Sequence, residues 1–396
     1  MVVKPERRAL VFGAGKTGRG FIAHLLALSG YRIAFVEKAQ ELVALLRKRG
    51  KYQIHIMGAP EKDIAIGGFE TLSSQEEELI ADRIISASVV FVSIGGPNLP
   101  EIAPQLARGV GFAAVKERRE PLNVILCENY FQPGKWLRQL VRDRLTGRGR
   151  EWFDRHVGIV EALVLRSSVE PTPEMKLQEP LSLQAQDLWE MPADKGAFVG
   201  DVPQVEGLVA IENFQGALIR KLFTYNAINA VIAYPGYLKG YQLLSEAAND
   251  PELIKVARQA SEESGEALCK TFGFDPQEQK RMGEAAIEKF QKREIVDPIE
   301  RNAHDPLRKL GLHDRLIGPA CLALESGIKP VALSQAIGAA LHYDHPSDSA
   351  AQALQATIRE KGVRGAIREV CEIDPEGELG KLVIAAFQRW SVERER

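Results

Sequence analysis

The sequence predicts an α/β fold in two parts, a doubly wound parallel sheet over residues 1–205 and an all-helical domain over residues 206–396. Three observations carry that expectation. A strand, a glycine-rich turn and a helix follow one another at the N-terminus. Short, wholly apolar runs then alternate with helix-periodic stretches through the first half, and from about Glu206 onward the apolar spacing is helical with few breaks. Runs apolar on both faces belong to strands covered by helices on both sides, the pattern of a parallel sheet. A chain of 396 residues also exceeds what one core ordinarily fills.

The first strand is the apolar run Arg8–Phe12, followed by Gly13-Ala14-Gly15-Lys16-Thr17-Gly18. A second apolar run, residues 32–36, ends on Glu37. Together these give G-x-G-x-x-G between strand and helix, with an acid about twenty positions further on, the dinucleotide-binding (Rossmann-type) arrangement. Gly13 permits the tight turn, and Gly18 lets the helix approach the strand. Gly15, flanked by Ala14, Lys16 and Thr17, brings backbone N–H groups to a pyrophosphate at the helix N-terminus. Glu37 would accept the ribose hydroxyls, which favours NAD over NADP. Alone it would read as a solvated acid at a strand end; the glycine spacing is what gives it a ligand.

The helix between these strands shows Ile22, Leu25, Leu26 and Ser29 on one face, with Gly30 as its C-terminal cap. Residues 87–94, 123–127 and 157–165 read as further buried strands. Ligands of a doubly wound sheet bind beyond the carboxyl ends of its strands. Ser93, Gly95, Glu128, Asn129 and Arg166 therefore face the cofactor by position. Residues 170–206 turn Pro-rich, with a short alternating run at 181–185, and read as extra strands and a linker. Beyond them the helical pattern is interrupted at Pro235-Gly236, Asn249-Asp250-Pro251 and Gly273.

Composition excludes several classes. A net charge of −2 gives no general attraction for nucleic acid, and no Lys/Arg run interleaves with aromatics. No apolar stretch reaches the roughly 18 residues a membrane helix requires. The N-terminus enters the first strand without a signal-peptide core, and four scattered cysteines with no C-x-x-C pair fit a reducing cytoplasm and offer no structural metal site.

Residues 207–234 form a long apolar, helix-periodic stretch that nevertheless carries Lys221, Tyr225, Asn226 and Asn229. At about 100° per residue, Lys221, Asn229 and Asn226 fall at roughly 0°, 80° and 140°, all on one side. Buried asparagine costs about 1–3 kcal/mol when unpaired, so two of them need a reason. An active site supplies one. A helix–helix hydrogen-bond network with Lys221 reaching solvent supplies another, and spacing alone does not choose between them.

The string KLFTYNAIN, residues 221–229, resembles the K-x₄-N-x₂-H signature of the polyol-specific long-chain dehydrogenases, the mannitol dehydrogenase family. The glycine turn, Cys127-Glu128-Asn129, AYPGYLKG at 233–240, PLRKL at 306–310 and DRL at 314–316 are similar to that family too, in its order. The resemblance implies an NAD-dependent, metal-independent oxidoreductase that interconverts mannitol 1-phosphate and fructose 6-phosphate. It implies that Lys221 is the general base, that Asn226 bonds the reacting oxygen, and that Asn129 closes the site from the sheet side. A lysine base must shed its proton near neutral pH, which burial promotes. Arg308, Lys309 and Arg315 cluster closely enough to bind a substrate phosphate, although a solvated basic helix face fits the same spacing.

Two positions depart from the family. Its histidine is Asn229 here, and the aspartate of its V-D-R motif is Leu165. Asparagine keeps a hydrogen bond but does not titrate, and leucine keeps nothing polar. These losses leave open a family oxidoreductase acting on another sugar alcohol phosphate or a sugar acid, and a non-enzymatic NAD-binding paralogue.

Overall fold

The computed structural model describes residues 7–130, 132–169, 171, 173–293 and 296–394, and the chain falls into two compact units, Met1–Phe214 and Gln215–Arg396. In the first unit the strands are β1 (Arg8–Phe12), β2 (Arg32–Glu37), β3 (Lys51–Ile56), β4 (Ile64–Gly67), β5 (Glu70–Ser73), β6 (Val89–Val92), β7 (Leu122–Leu126), β8 (Val157–Glu161), β9 (Ser168–Val169), β10 (Leu183–Ala185), β11 (Met191–Asp194) and β12 (Leu208–Ile211). Six of them form one sheet in the order β5-β2-β1-β6-β7-β8, every pair parallel. This is the doubly wound order, and its direction reverses between β1 and β6. Side chains alternate across the sheet as the pleat requires. Ala9, Val11, Phe35 and Phe91 enter one buried cluster, while Leu10, Phe12, Val36 and Val92 enter the other.

Of the extra strands foreseen near 170–206, β10 joins β9, β3 and β4 in a four-stranded sheet, β4-β3-β10-β9, and β11 is half of the β11-β12 pair. That pair also moves the division of the chain. The helical domain was expected from Glu206, yet residues 208–211 are a strand in parallel register with β11, which ties them to the first unit. Other runs are shorter than their apolar stretches, because β8 ends at Glu161 rather than at residue 165.

The second unit is helical in its described residues. Its core gathers Ile228, Val231, Ile232 and Tyr234 of the helix Ala227–Leu238 with Leu333, Ile337 and Leu341 of Val331–Leu341. Sequence signals fix several helix ends. Asp250 accepts from the N–H groups of Glu252 and Leu253, with Pro251 at the first helical position, and Gly273 closes that helix at φ +71°. Pro235 does not break its helix as expected; the helix runs through it to Leu238, with the N–H of Lys239 on the Pro235 carbonyl.

Candidate functional site

In the first unit the glycine turn sits at the point where the sheet order reverses. Gly13 has φ +91°, and a Cβ there would stand 2.4 Å from the Ser93 carbonyl oxygen. A Cβ on Gly18 would stand 1.9 Å from the Gly13 carbonyl oxygen, so no other residue fits. Around Gly15 no atom lies within 4 Å of such a position, which leaves the turn open on that side. The helix begins as a π turn, Gly18–Ile22, and continues as Ala23–Leu28.

A cleft of about 340 Å³ adjoins this turn, lined by Gly13, Gly15, Glu37, Lys38, Ser93 and Asn98 among others. Glu37 bends its carboxylate back onto the chain. One oxygen accepts from the Ala14 N–H at 2.9 Å, the other from the N–H groups of Lys38 and Ala39 at 2.9 Å. Ser93 contacts the carbonyls of Phe12 and Gly13, and Gly95 turns the chain at φ +86°. Lys16 and Asn129 are exposed and Thr17 is half-buried. An open glycine turn, free approach at Gly15 and a carboxylate at the end of β2 fit a dinucleotide.

Two charged groups beside this turn differ from expectation. Glu128 accepts from the N–H groups of Ile94 and Gly95 at 2.7 and 3.2 Å, so it braces the loop that carries Ser93. Burial pushes its carboxyl up to about 7, against those two bonds. Arg166 does not face the cofactor cleft. It is buried between the rings of Phe21 and Trp189, with its guanidinium on the Gln186 carbonyl and His24 Nδ1. Burial, with Arg166 alongside, holds His24 down to about 4, so His24 is a neutral structural group.

In the second unit Lys221 ends the helix Phe214–Lys221, and residues Leu222–Asn226 form a second π turn before the next helix. Such turns concentrate at functional sites. An ideal i→i+5 pattern takes up roughly 80° per residue instead of 100°, which would bring Asn226 from about 140° to about 40° from Lys221. Lys221 is buried, and Asn226 and Asn229 are half-buried. A side chain from another helix bonds this turn, where Ser264 Oγ donates to the Phe223 oxygen at 2.6 Å. Gln279 joins the same region to Arg220 through the Thr224 hydroxyl. Lys289 stands 4.6 Å over the Tyr225 ring, and burial lowers it to about 8.

Asn229 donates through Nδ2 to Asn302 Oδ1 at 2.9 Å, a partner that sequence spacing did not point to. The three cations expected on a phosphate do not stand alike. Arg308 and Arg315 both meet Asp314, at 3.2 and 2.7 Å, and Arg308 also meets Asp305 at 2.8 Å. Lys309 points inward instead, with its ammonium on the Asn302 main-chain carbonyl and 5.9 Å from the Tyr234 ring centroid. It is only 5% exposed, and burial, with Arg315 and Arg308 nearby, holds its pKa well below the ordinary lysine value. Among the described residues no group of His, Cys, Asp and Glu could hold a metal ion, and no helix is long and apolar enough to cross a membrane.

A doubly wound sheet with this glycine turn, joined to a helical unit built around a buried lysine and amides, defines a two-domain dehydrogenase. The chain belongs to the mannitol dehydrogenase family: its residues 7–207 match the mannitol dehydrogenase Rossmann domain and residues 213–376 the mannitol dehydrogenase C-terminal domain. It is therefore an NAD-dependent polyol dehydrogenase. A mannitol-1-phosphate 5-dehydrogenase from Bacillus licheniformis is 35% identical over 379 residues, covering 95% of this chain and 98% of the relative. In fold it is similar to a Pseudomonas fluorescens mannitol 2-dehydrogenase solved with NAD and D-mannitol (TM-score 0.80, 16% identity, 98% of this chain and 92% of that one). A substrate-free D-sorbitol dehydrogenase is similar as well, with TM-score 0.78 at 14% identity, covering 98% of this chain and 94% of that one.

Proposed function

We propose that this chain oxidises mannitol 1-phosphate to fructose 6-phosphate, with NAD as acceptor and Lys221 as general base. The burial of Lys221 at the start of a π turn that ends on Asn226 is the observation that carries this reading. Lys221 takes the proton of the reacting hydroxyl through Nζ, and Asn226 donates its amide to the oxygen as negative charge develops there. Asn129 supplies a second polar contact and Asn229 a third. Gly13, Ala14, Gly15, Lys16, Thr17 and Gly18 offer backbone to the pyrophosphate, Glu37 takes the ribose, Ser93 lines the same cleft, and Gly95 turns the chain after it toward the nicotinamide end. NAD, when bound, accepts the hydride that leaves the substrate carbon. Arg308 and Arg315 meet the phosphate, while Lys309 supports Asn302 from behind.

Support for the phosphate comes from the two guanidiniums and from the Bacillus licheniformis relative. A different sugar alcohol phosphate is the second reading, favoured by Leu165 and by the pairing of Asn229 with Asn302. Initial rates of NAD reduction with mannitol 1-phosphate, sorbitol 6-phosphate and mannitol discriminate them. The first reading expects the highest catalytic efficiency with mannitol 1-phosphate. A clear preference for either of the others rejects it.

A further inference from the structure

The helical unit contains an amide orientation that its hydrogen-bond partners dictate. Asn302, in the helix Ile299–Ala303, is 9% exposed. Its Nδ2 lies 3.0 Å from the Pro298 carbonyl oxygen, and its Oδ1 lies 2.9 Å from Asn229 Nδ2. The oxygen and nitrogen of a side-chain amide are assigned from their partners. A main-chain carbonyl only accepts, so the Asn302 atom facing Pro298 has to be its NH₂ group. The remaining atom, Oδ1, is then an acceptor, and Asn229 has to turn its own NH₂ toward it. Flipping either amide would set donor against donor or acceptor against acceptor inside the unit, leaving buried polar groups unpaired. Lys309 holds the same residue from its backbone side, through the Asn302 carbonyl.

We propose that Asn302 is a positioning residue for substrate recognition, locking the Asn229 amide so that its carbonyl oxygen is presented to a hydroxyl of the polyol. This deepens the function proposed above and rests on it. An acceptor at that point selects a substrate oxygen that carries a proton. An open-chain polyol provides one, whereas an ether or ring oxygen leaves the acceptor unpaired. The family's histidine could meet the same Asn302 oxygen with a ring N–H, so the pairing also fixes how position 229 is read.

Steady-state kinetics with mannitol 1-phosphate test this on wild type, Asn302→Leu and Asn302→Asp, with NAD affinity titrated separately. Leucine removes both polar atoms, and KM for the polyol should rise about tenfold or more while kcat changes far less and NAD affinity stays put. Aspartate returns an acceptor to Asn229 but sets its other oxygen against the Pro298 carbonyl, so it should recover part of the lost affinity. A KM unmoved in both variants, or kcat and melting temperature falling together with KM constant, overturns the proposal. Should the leucine variant fail to fold, Asn229→Asp decides. Its carboxylate would face Asn302 Oδ1, acceptor to acceptor, so its KM should rise with pH as the carboxyl ionises; a KM flat with pH and equal to wild type overturns the proposal. Normal turnover with unmoved variants sinks only this inference. A wild type that reduces no NAD with any polyol or polyol phosphate sinks the proposed function as well.

Discussion

Glu37 closes β2 with its carboxylate on three backbone N–H groups, one of them in the glycine turn. Both oxygens retain lone pairs for ribose hydroxyls, and a 2′-phosphate would meet like charge there. Lys38 lies near enough to soften that repulsion, yet its ammonium is held by Glu101 at 3.2 Å. Arg19, another cation near in sequence, is buried with its guanidinium on the carbonyls of Ala14 and Leu181. We therefore expect catalytic efficiency with NAD to exceed that with NADP, and an efficiency at least about tenfold greater with NADP would refute this assignment of Glu37. At Lys221, replacement by alanine should remove about 10²–10⁴-fold in turnover while NAD affinity is nearly unchanged. A Lys221→Ala variant that keeps more than about a tenth of wild-type turnover would make the lysine structural. Gly13, Gly18 and Glu37 were legible in the sequence because each carries out a steric or charge requirement at a fixed spacing. Asn302 was not, since its partner Asn229 lies far away in sequence and its helix, Ile299–Ala303, is a single short turn.

The two π turns mark where element-level reading ran short. Apolar periodicity announced a helix through residue 226 but carried no sign that its bonding shifts register there, and the side chains that bond the turn lie far away in sequence. Ser264 takes the Phe223 carbonyl, and the Gln279 amide donates to the Thr224 hydroxyl from another helix. Ser264→Ala should cost about 0.5–1.5 kcal/mol by removing this buried hydrogen bond, and should lower turnover along with stability because the turn sets the offset of Asn226 from Lys221. Chemical denaturation with parallel kinetics would check it, and a variant as stable and active as wild type would detach the turn from the site. At the other π turn, Gly18→Ala drives a methyl against the Gly13 carbonyl. NAD affinity should fall sharply, measured by titration; unchanged affinity would mean that the glycine turn is not the pyrophosphate site. The strands and their parallel order were easier to foresee, since runs such as residues 89–92 are apolar on both faces and have few other folds to enter.

Over the whole molecule, Glu128 gives a pH dependence of stability whose direction follows from its burial. Its carboxyl is raised to about 7 in the folded chain against an ordinary 4.5, so between those values the native state holds more proton than the unfolded one. The contribution of this group is full below the ordinary value and is lost as pH rises through the folded one. Glu128→Gln should therefore gain thermal stability relative to wild type on going from about pH 5 to about pH 8. A difference in melting temperature between the two proteins that is constant over that range would contradict the assignment. The division into a sheet unit and a helical unit was visible from patterning, but its position was not, because β12, four apolar residues, is too short to separate from the helical pattern that follows. The central proposal is that the chain oxidises a phosphorylated polyol with Lys221 as its base. It is tested most directly by the catalytic efficiency of NAD reduction with mannitol 1-phosphate against unphosphorylated mannitol, in wild type and in an Arg308→Ala/Arg315→Ala variant. The account predicts at least about a hundredfold preference for the phosphorylated substrate in wild type, collapsing in the variant as its charge-assisted bonds are lost. Equal or better use of mannitol by the wild type would contradict it.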